Sequence, residues 1–432
     1  MADTTKFPFV VTEHIIDGQH IREYPNATVD PDSTFKLVLK RYTPIDNPNP
    51  QPGDVTIIGA HGCGFPKELY EPLWEDLLNR SRQDGYRIRS IWIADVANLG
   101  ASGLANERFL GNDPSWIDHS RDLLYMINKF RDEMPQPIVG VGHSMGAGQL
   151  VLLSLLHPRL FTSLSLVEPV ISPDIFTAKG PLLAVVSLKR RDTWKSRAAA
   201  IEKAKVTHKG WDKRVLDRWI LHAYRDIPST TSAQENLPAQ VEQAVTLTSS
   251  KYQEVLQYLR PNPSSHISVG EEPTSNTPPH DDLLYPDIIG PPETTTQFYR
   301  YEPILAWKML KHLRPPVLYV LGQSSPIAAP ETREKILKRT GAGIGGSGGV
   351  KALRVEEKVI PGSHQLPLER VLETAAIVGP WISSSVRRWK EDEARIAEGW
   401  ACRPMSERLK SMADWVPKLE KMMSSERRES RL

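Results

Sequence analysis

The feature that most constrains the fold is the stretch IVGVGHSMGAGQLV at residues 138–151, where an apolar run ends at a serine that lies between two glycines. An apolar, β-branched segment precedes Ser144 and a helical segment follows it directly. The pattern predicts a strand, a sharp turn and a helix. Such a turn strains the serine backbone, and small neighbours are needed because the flanking elements approach closely. We expect the Ser144 hydroxyl to stand clear of the sheet as a nucleophile; the alternative is a glycine-rich turn with a bystander serine.

Apolar, β-branched runs alternate with amphipathic helical stretches along the chain. This alternation predicts an α/β fold, with a mostly parallel twisted sheet and helices on both faces. Strands are predicted at residues 36–44, 55–62, 87–96, 137–144, 161–170, 317–323 and 355–364. Helices are predicted at residues 67–83, 118–134, 147–158 and 374–400.

The alternation breaks between residues 172 and 312, where basic helical segments are followed by a long stretch rich in proline and polar residues. An interruption of this length between two strands of one sheet is typical of an inserted lid. The sequence therefore predicts a core made of residues 1–171 and 313–420, a lid at 172–312, and a flexible tail at 421–432.

The composition excludes several classes of protein. The 54 lysines and arginines nearly balance the 52 aspartates and glutamates, so net charge gives no indication of a nucleic acid partner or an acidic membrane surface. Cys63 and Cys402 are the only cysteines, too few for a disulfide framework. The N-terminus lacks the basic start and apolar core of a secretory signal, and no run approaches the ~20 apolar residues of a membrane span. We expect a soluble, non-secreted protein.

A serine nucleophile needs a base, which is normally a histidine after the last strand of such a sheet. The segment VEEKVIPGSHQLPLE places His364 in a loop after the predicted final strand. A lone histidine there would more often belong to a surface loop, but its position relative to Ser144 makes it the candidate base.

The third group, an acid that orients the imidazole, is missing from its usual position. After the strand at 317–323 the chain has Gln323, Ser324 and Ser325 and no carboxylate. One strand earlier, Glu168 ends an apolar strand, where a glutamate would be costly without a charged or hydrogen-bonded partner. We predict Glu168 as the acid. The alternative role of Glu168 is a structural salt bridge. Asp95 is the substitute candidate for the acid, although its position favours a structural role in holding the loop ANLGAS that follows it.

Two backbone N–H groups are predicted to form an oxyanion hole. One belongs to Met145, which follows the nucleophile at a helix start. The other belongs to Cys63 in GAHGCGFPKE, where glycines let the backbone approach a reacting carbonyl. The Cys63 thiol is expected to be an apolar filler, since a thiol catalyst or a metal site would need a nearby base or a second cysteine. No metal and no cofactor are predicted.

The last three residues are Ser430, Arg431 and Leu432, which differ by one Lys-to-Arg change from the Ser-Lys-Leu peroxisomal signal. The polar segment before them would leave this signal accessible to an import receptor. We expect the protein in the peroxisomal matrix; the alternative is a solvated tail with this ending by chance.

The glycine cluster GAGIGGSGGV at 341–350 lacks the lysine-serine end of a phosphate loop and is expected to be a flexible loop at the rim of the site.

Segments from nearly the whole chain resemble those of fungal peroxisomal α/β-hydrolases of secondary metabolism, a group that includes the mycophenolic acid acyl-CoA hydrolase and the AK-toxin-type biosynthesis hydrolases. The segments are HIREYPNATV, HGCGFPKELYEPLWEDLL, SWIDHSRDLLYMINKFRDEMPQPIVGVGHSMG, LHPRLFTSL and GAGIGGSGGV. The resemblance implies the α/β-hydrolase fold, with Ser144 as nucleophile, His364 as base and Glu168 as acid. One position departs from the group, because the acyl-CoA hydrolase has an aspartate where this chain has Glu168.

The resemblance implies a serine hydrolase that cleaves an acyl-CoA thioester or an ester in secondary-metabolite or toxin biosynthesis. Basic residues of the predicted lid would then meet the phosphates of coenzyme A, although they are also typical of a solvated helix face: Lys189, Arg190, Arg191, Lys195 and Arg197. A lipase or carboxylesterase, and an inactive binding protein with a decayed site, are the alternatives. A serine in this position argues against epoxide hydrolase or dehalogenase chemistry, in which an aspartate attacks. A homodimer is compatible with these features.

Overall fold

The computed structural model describes residues 7–174, 180–227, 243–261, 283, 298–408, 410 and 415–429. Its strands are β1 (Phe9–Asp17), β2 (Lys36–Pro44), β3 (Val55–Ala60), β4 (Ile88–Ala94), β5 (Ile138–His143), β6 (Ser163–Val167), β7 (Thr193–Trp194), β8 (Tyr224–Asp226), β9 (Val245–Leu247), β10 (Arg260–Pro261), β11 (Phe298–Tyr299), β12 (Val317–Gly322) and β13 (Val355–Ile360). Its α-helices are α1 (Glu71–Ser81), α2 (Gly100–Asn106), α3 (Trp116–Lys129), α4 (Met145–Leu156), α5 (Gly180–Lys189), α6 (Arg197–Thr207), α7 (Lys213–His222), α8 (Lys251–Tyr258), α9 (Glu302–Met309), α10 (Pro330–Arg339), α11 (Leu366–Glu369), α12 (Val371–Ala401) and α13 (Trp415–Glu429).

An eight-stranded sheet forms the centre of the fold, in the order β1-β2-β4-β3-β5-β6-β12-β13. The pairs β1–β2 and β2–β4 are antiparallel, and the other neighbouring pairs are parallel. Strands β3, β5, β6 and β12 are buried along their whole length, as expected for strands covered on both faces. Because parallel strands end at one side of a sheet, the loops after β3, β4, β5, β6, β12 and β13 meet there. We call this side the carboxyl edge.

Strands that lead to the carboxyl edge are shorter than the sequence predicts. The chain predicts strands up to residues 170 and 364, but β6 ends at Val167 and β13 at Ile360. The next residue after β6, Glu168, has a φ of 52° and leaves strand geometry. The extra residues therefore form the loops of the carboxyl edge, where strand-like composition does not distinguish a strand from the turn after it.

Strand β1 is missing from the sequence prediction. It pairs along its whole length with β2, from Phe9 opposite Pro44 to Asp17 opposite Lys36. As the outer strand it buries only Phe9 and Ile16, with the other positions exposed or half-buried. Its apolar residues are interrupted by Thr12, Glu13 and His14, so it lacks the longer apolar run that indicates the central strands.

The described part of the segment predicted as a lid contains α5 to α9 and two small antiparallel sheets, ordered β7-β9-β8 and β10-β11. It contacts the carboxyl edge through side chains. The Ser249 hydroxyl accepts a hydrogen bond from the Gly100 N–H at 2.8 Å, and the Trp211 indole N–H donates to Gln365 at 2.6 Å. The proline-rich stretch predicted to be irregular, 264–296, lies outside the described residues apart from residue 283. The division into core and lid stays a prediction.

The chain divides into two compact units, residues 1–386 and 387–432. The first holds the sheet and every residue of the candidate site described below. The second includes α13, so part of the segment predicted as a tail is helical. None of the described helices has the length and apolar content that crossing a membrane requires.

Candidate active site

Ser144 lies between the end of β5 and the start of α4, as the strand-turn-helix pattern predicts. Its backbone has φ 54° and ψ −118°, a conformation that is strained for a serine. The flanking glycines are required by space. A Cβ atom at Gly142 would lie 2.7 Å from the Ala147 backbone, and one at Gly146 would lie 2.4 Å from the Ala60 backbone. The turn can therefore form only with glycine on both sides.

The structure brings together the three side chains predicted from the sequence, Ser144, Glu168 and His364, which follow strands β5, β6 and β13. The Ser144 Oγ lies 2.8 Å from His364 Nε2, and His364 Nδ1 lies 2.9 Å from Glu168 Oε2. Because the buried carboxylate can only accept, Nδ1 carries the proton and donates to Glu168. Nε2 is then the acceptor for the Ser144 hydroxyl. This tautomer allows His364 to take the serine proton, although the catalytic roles of the three residues stay predictions.

Glu168 is fully buried, and its carboxylate has donors besides His364. The Gly322 N–H donates to Oε1 at 2.5 Å, and the Ser325 hydroxyl donates to Oε2. Both donors come from the end of β12 and the loop after it, the position where the sequence offered no acid. Hydrogen bonds to the ionised form stabilise it against the cost of burial. The sequence does not predict Gly322 and Ser325 as donors to Glu168. The one indication it offers is that polar residues stand where a carboxylate is expected.

Asp95, the substitute candidate for the acid, has other partners. Its carboxylate lies 2.7 Å from the buried Lys67 ammonium and accepts hydrogen bonds from the Lys67 and Ala101 N–H groups at 3.1 and 2.9 Å. At Gly100 a Cβ atom would lie 2.5 Å from the Asp95 carboxyl carbon, so the loop wraps closely around the carboxylate. Asp95 thus holds the loop that follows β4, and Glu168 is the carboxylate in contact with His364.

The loop predicted to provide the second oxyanion donor lies beside the nucleophile turn. A Cβ atom at Gly62 would lie 2.8 Å from the His143 ring, which shows how closely the loop approaches the end of β5. The Gly62 N–H donates to the Tyr70 hydroxyl at 2.7 Å and is already occupied. This supports the prediction of the next N–H, that of Cys63. Met145 begins α4, so its N–H has no acceptor within the helix.

The environment of the Cys63 side chain disfavours the thiolate. It is buried, and burial is the largest of the effects that raise the pKa of its thiol well above the usual range. The thiol contacts the Glu254 carbonyl oxygen at 3.6 Å. A protonated thiol is a poor nucleophile, which agrees with the prediction of a filler.

The glycine cluster at 341–350 does not lie at the rim of the candidate site, contrary to the prediction. It connects α10 to the start of β13 and is tied to the residues that lead into β12: the Gly343 N–H donates to the Lys311 carbonyl at 2.7 Å and the Ser347 N–H to the Leu313 carbonyl at 2.8 Å. Both strands begin at the opposite side of the sheet from the carboxyl edge. Composition identifies such a loop but not the end of the sheet at which it lies.

We expect Glu168→Ala to lower kcat by about 10²–10⁴-fold, less than loss of the nucleophile or the base, since the serine, imidazole and oxyanion donors remain. The measurement is steady-state hydrolysis of an acyl-CoA by purified variants. Asp95→Asn is the matched carboxylate control and should retain kcat while lowering the melting temperature, because it weakens the pairing of buried Lys67. Full activity in Glu168→Ala together with an inactive but folded Asp95→Asn would assign the acid to Asp95.

Comparisons with known proteins agree with this geometry. The sequence pattern of the alpha/beta hydrolase family matches residues 57–377. The chain belongs to the alpha/beta hydrolase family, and the predicted fold is confirmed.

Particular relatives define the position of the chain within that family. It is 39% identical over 411 residues to the type I acyl-CoA thioesterase mpaH' of Penicillium brevicompactum, covering 89% of this chain and 91% of the relative. It is 29% identical over 270 residues to the abhydrolase domain-containing protein ACTT2-1 of Alternaria alternata, covering 62% of this chain and 88% of the relative. The peroxisomal alpha-beta-hydrolase Lpx1 of Saccharomyces cerevisiae shares the fold, with a TM-score of 0.65, 17% identity and 98% coverage of both chains. The resemblance to these fungal hydrolases is confirmed.

Proposed function

We propose that this protein is a serine hydrolase that cleaves acyl-CoA thioesters through an acyl-enzyme on Ser144, in a fungal secondary-metabolite pathway. The observation that carries the proposal is the continuous hydrogen-bonded chain from Ser144 Oγ through His364 to Glu168. The 39% identity to a type I acyl-CoA thioesterase supports the substrate class.

Acylation follows from the protonation states of the three groups. Ser144 Oγ attacks the thioester carbonyl carbon while its proton moves to His364 Nε2, and Glu168 stabilises the imidazolium that forms. The carbonyl oxygen becomes an oxyanion, which the N–H groups of Cys63 and Met145 stabilise. Collapse of this intermediate breaks the carbon–sulfur bond, and His364 returns the proton to the departing CoA thiolate.

Deacylation repeats the same proton transfers with water. His364 Nε2 takes a proton from the attacking water, the new carbon–oxygen bond forms a second oxyanion, and its collapse breaks the bond to Ser144. The proton on His364 returns to the serine oxygen, and the free acid leaves. The step consumes one water molecule and restores the starting state of the enzyme.

The test compares acyl-CoA and p-nitrophenyl ester series of equal chain length with the purified protein. We expect kcat/KM to be higher for the CoA thioesters. A protein that is indifferent to the CoA moiety is a carboxylesterase or lipase. A folded protein that hydrolyses neither series and is not labelled by a fluorophosphonate probe is a binding protein with the hydrolase fold.

We also infer that the protein works in the peroxisomal matrix after recognition of Ser430-Arg431-Leu432 by an import receptor. These residues lie outside the described ranges. The inference is supported by their similarity to the Ser-Lys-Leu signal and by the peroxisomal neighbour that shares the fold. An N-terminal fluorescent fusion should give punctate staining that overlaps a peroxisomal marker, and removal of Leu432 should make it cytosolic. Punctate staining that persists without Leu432 would contradict the inference.

A further inference from the structure

We propose that His143 is a positioning residue that fixes the main chain of His364 and connects it to the loop containing Cys63. The inference rests on the proposed function, because it assigns His364 as the base and Cys63 as an oxyanion donor. It deepens that function by assigning a role to the variable position of the Gly-x-Ser-x-Gly turn, which the sequence left without one.

The hydrogen bonds of His143 form a chain in which each atom has one possible role. Its Nε2 lies 2.9 Å from the His364 carbonyl oxygen, which can only accept, so Nε2 carries the proton. Its Nδ1 is then an acceptor and lies 2.8 Å from the Tyr70 hydroxyl, which donates to it. The Tyr70 oxygen in turn accepts the Gly62 N–H at 2.7 Å. The chain runs from the loop after β3, through the residue before the nucleophile, to the backbone of the candidate base.

Packing fixes the His143 ring as firmly as the hydrogen bonds do. The ring is buried and stacks on Phe65, with centroids 5.9 Å apart and planes 15° from parallel. Gly62 lies so close to the ring that a Cβ atom there would come within 2.8 Å of Nδ1. Close packing on both sides restrains the ring, so it couples the position of one loop to that of the other.

The consequence for His364 is that it is fixed at two points. Its Nδ1 contacts Glu168, and its carbonyl oxygen accepts from His143. The contact with Glu168 orients the His364 ring. The contact with His143 fixes the backbone position of the loop that carries the ring. Its side chain is 23% exposed, so packing alone restrains it less than it restrains fully buried groups. A displacement of about 1 Å in a reacting group can cost 10²-fold in rate.

The charge state of His143 suits this role. Burial is the main cause that lowers its pKa to about 3, with a further contribution from His364. The ring is therefore a neutral donor at every pH at which the enzyme would work. Its ring centroid is 5.6 Å from that of His364. A charged His143 at this distance would oppose the imidazolium that His364 must become during acylation.

The test uses His143→Leu, His143→Gln and Tyr70→Phe in the full-length protein. The leucine variant loses both hydrogen bonds and should lower kcat about 10²-fold with KM changed by less than about threefold. The glutamine amide can donate to the His364 carbonyl and accept from Tyr70, so it should recover kcat to within about tenfold of wild type. Tyr70→Phe should fall between these two. Across the three variants, the rate of fluorophosphonate labelling should fall in parallel with kcat. The pH at the midpoint of the kcat/KM profile should be the same in the glutamine variant as in wild type.

The matched control is His157→Leu, the same substitution at an exposed histidine after α4. It should leave kcat and labelling unchanged. Wild-type kcat in a folded His143→Leu protein would overturn the positioning role while leaving the proposed function intact. A folded His143→Gln protein that is as slow as His143→Leu would have the same consequence. If His143→Leu does not fold, Tyr70→Phe decides alone, with wild-type kcat as the contradicting result. A wild-type protein that is neither labelled nor active would contradict the proposed function and this inference with it.

Discussion

Ser144→Ala is expected to abolish hydrolysis of acyl-CoA, lowering kcat by about 10⁴-fold or more, and to prevent labelling by a fluorophosphonate probe. The variant removes the hydroxyl that lies 2.8 Å from His364 Nε2. No acyl-enzyme can then form, and the remaining rate comes from substrate binding and the oxyanion donors alone. Mass spectrometry of the protein after mixing with substrate should show an acyl adduct in wild type and none in the variant.

The fold should survive this change, because alanine fits the same turn and the flanking glycines are untouched. Circular dichroism and the melting temperature should match those of wild type. Ser424→Ala, at an exposed serine on α13, is the matched control and should keep full activity. Turnover or probe labelling that persists in Ser144→Ala would place the nucleophile elsewhere and overturn the proposed mechanism.

His364→Ala is expected to lower kcat to a similar extent, by about 10⁴-fold or more. Without the imidazole, no group accepts the serine proton and none returns it to the leaving thiolate. The buried Glu168 keeps its hydrogen bonds from Gly322 and Ser325, so the carboxylate is not left without donors. We therefore expect a folded but inactive protein, measured as loss of both turnover and fluorophosphonate labelling.

Combining the two substitutions distinguishes a shared role from separate ones. Because serine and histidine act as a unit, Ser144→Ala with His364→Ala should be no slower than either single variant. His157→Ala is the control for a histidine outside the site, and it should behave as wild type. Losses that multiply in the double variant would show that the two residues act independently, contrary to the mechanism.

The sequence predicts those strands that are buried along their whole length. The largely apolar runs of β3, β5, β6 and β12 predict the central strands, and Gly142 and Gly146 indicate the turn into the helix after Ser144. Strand β1 is not predicted, because the polar residues Thr12, Glu13 and His14 interrupt its apolar residues. The ends of β6 and β13 were placed too late, since the residues beyond them keep a strand-like composition but turn out of the sheet.

For the candidate site, residue types and order along the chain were enough to select the three side chains that the structure places in contact. They were not enough to find the groups that hold those side chains. Gly322 donates through its backbone, which no side-chain pattern reveals. Tyr70 and His143 meet through space although 73 residues separate them in the chain. Such partners depend on how loops pack at the carboxyl edge, which local sequence does not encode.

The order of the proposed catalytic groups along the chain has a consequence for biosynthesis. His364 follows Ser144 by 220 residues and lies in the loop after β13, which is the last strand of the sheet in sequence and one of its two outer strands. In the proposed mechanism, a nascent chain synthesised as far as β12 contains the nucleophile Ser144 and the acid Glu168 but lacks His364, the base. Under that mechanism we expect chains that end before this loop to be unable to cleave coenzyme A esters, so that hydrolysis begins only after the loop following β13 has been made.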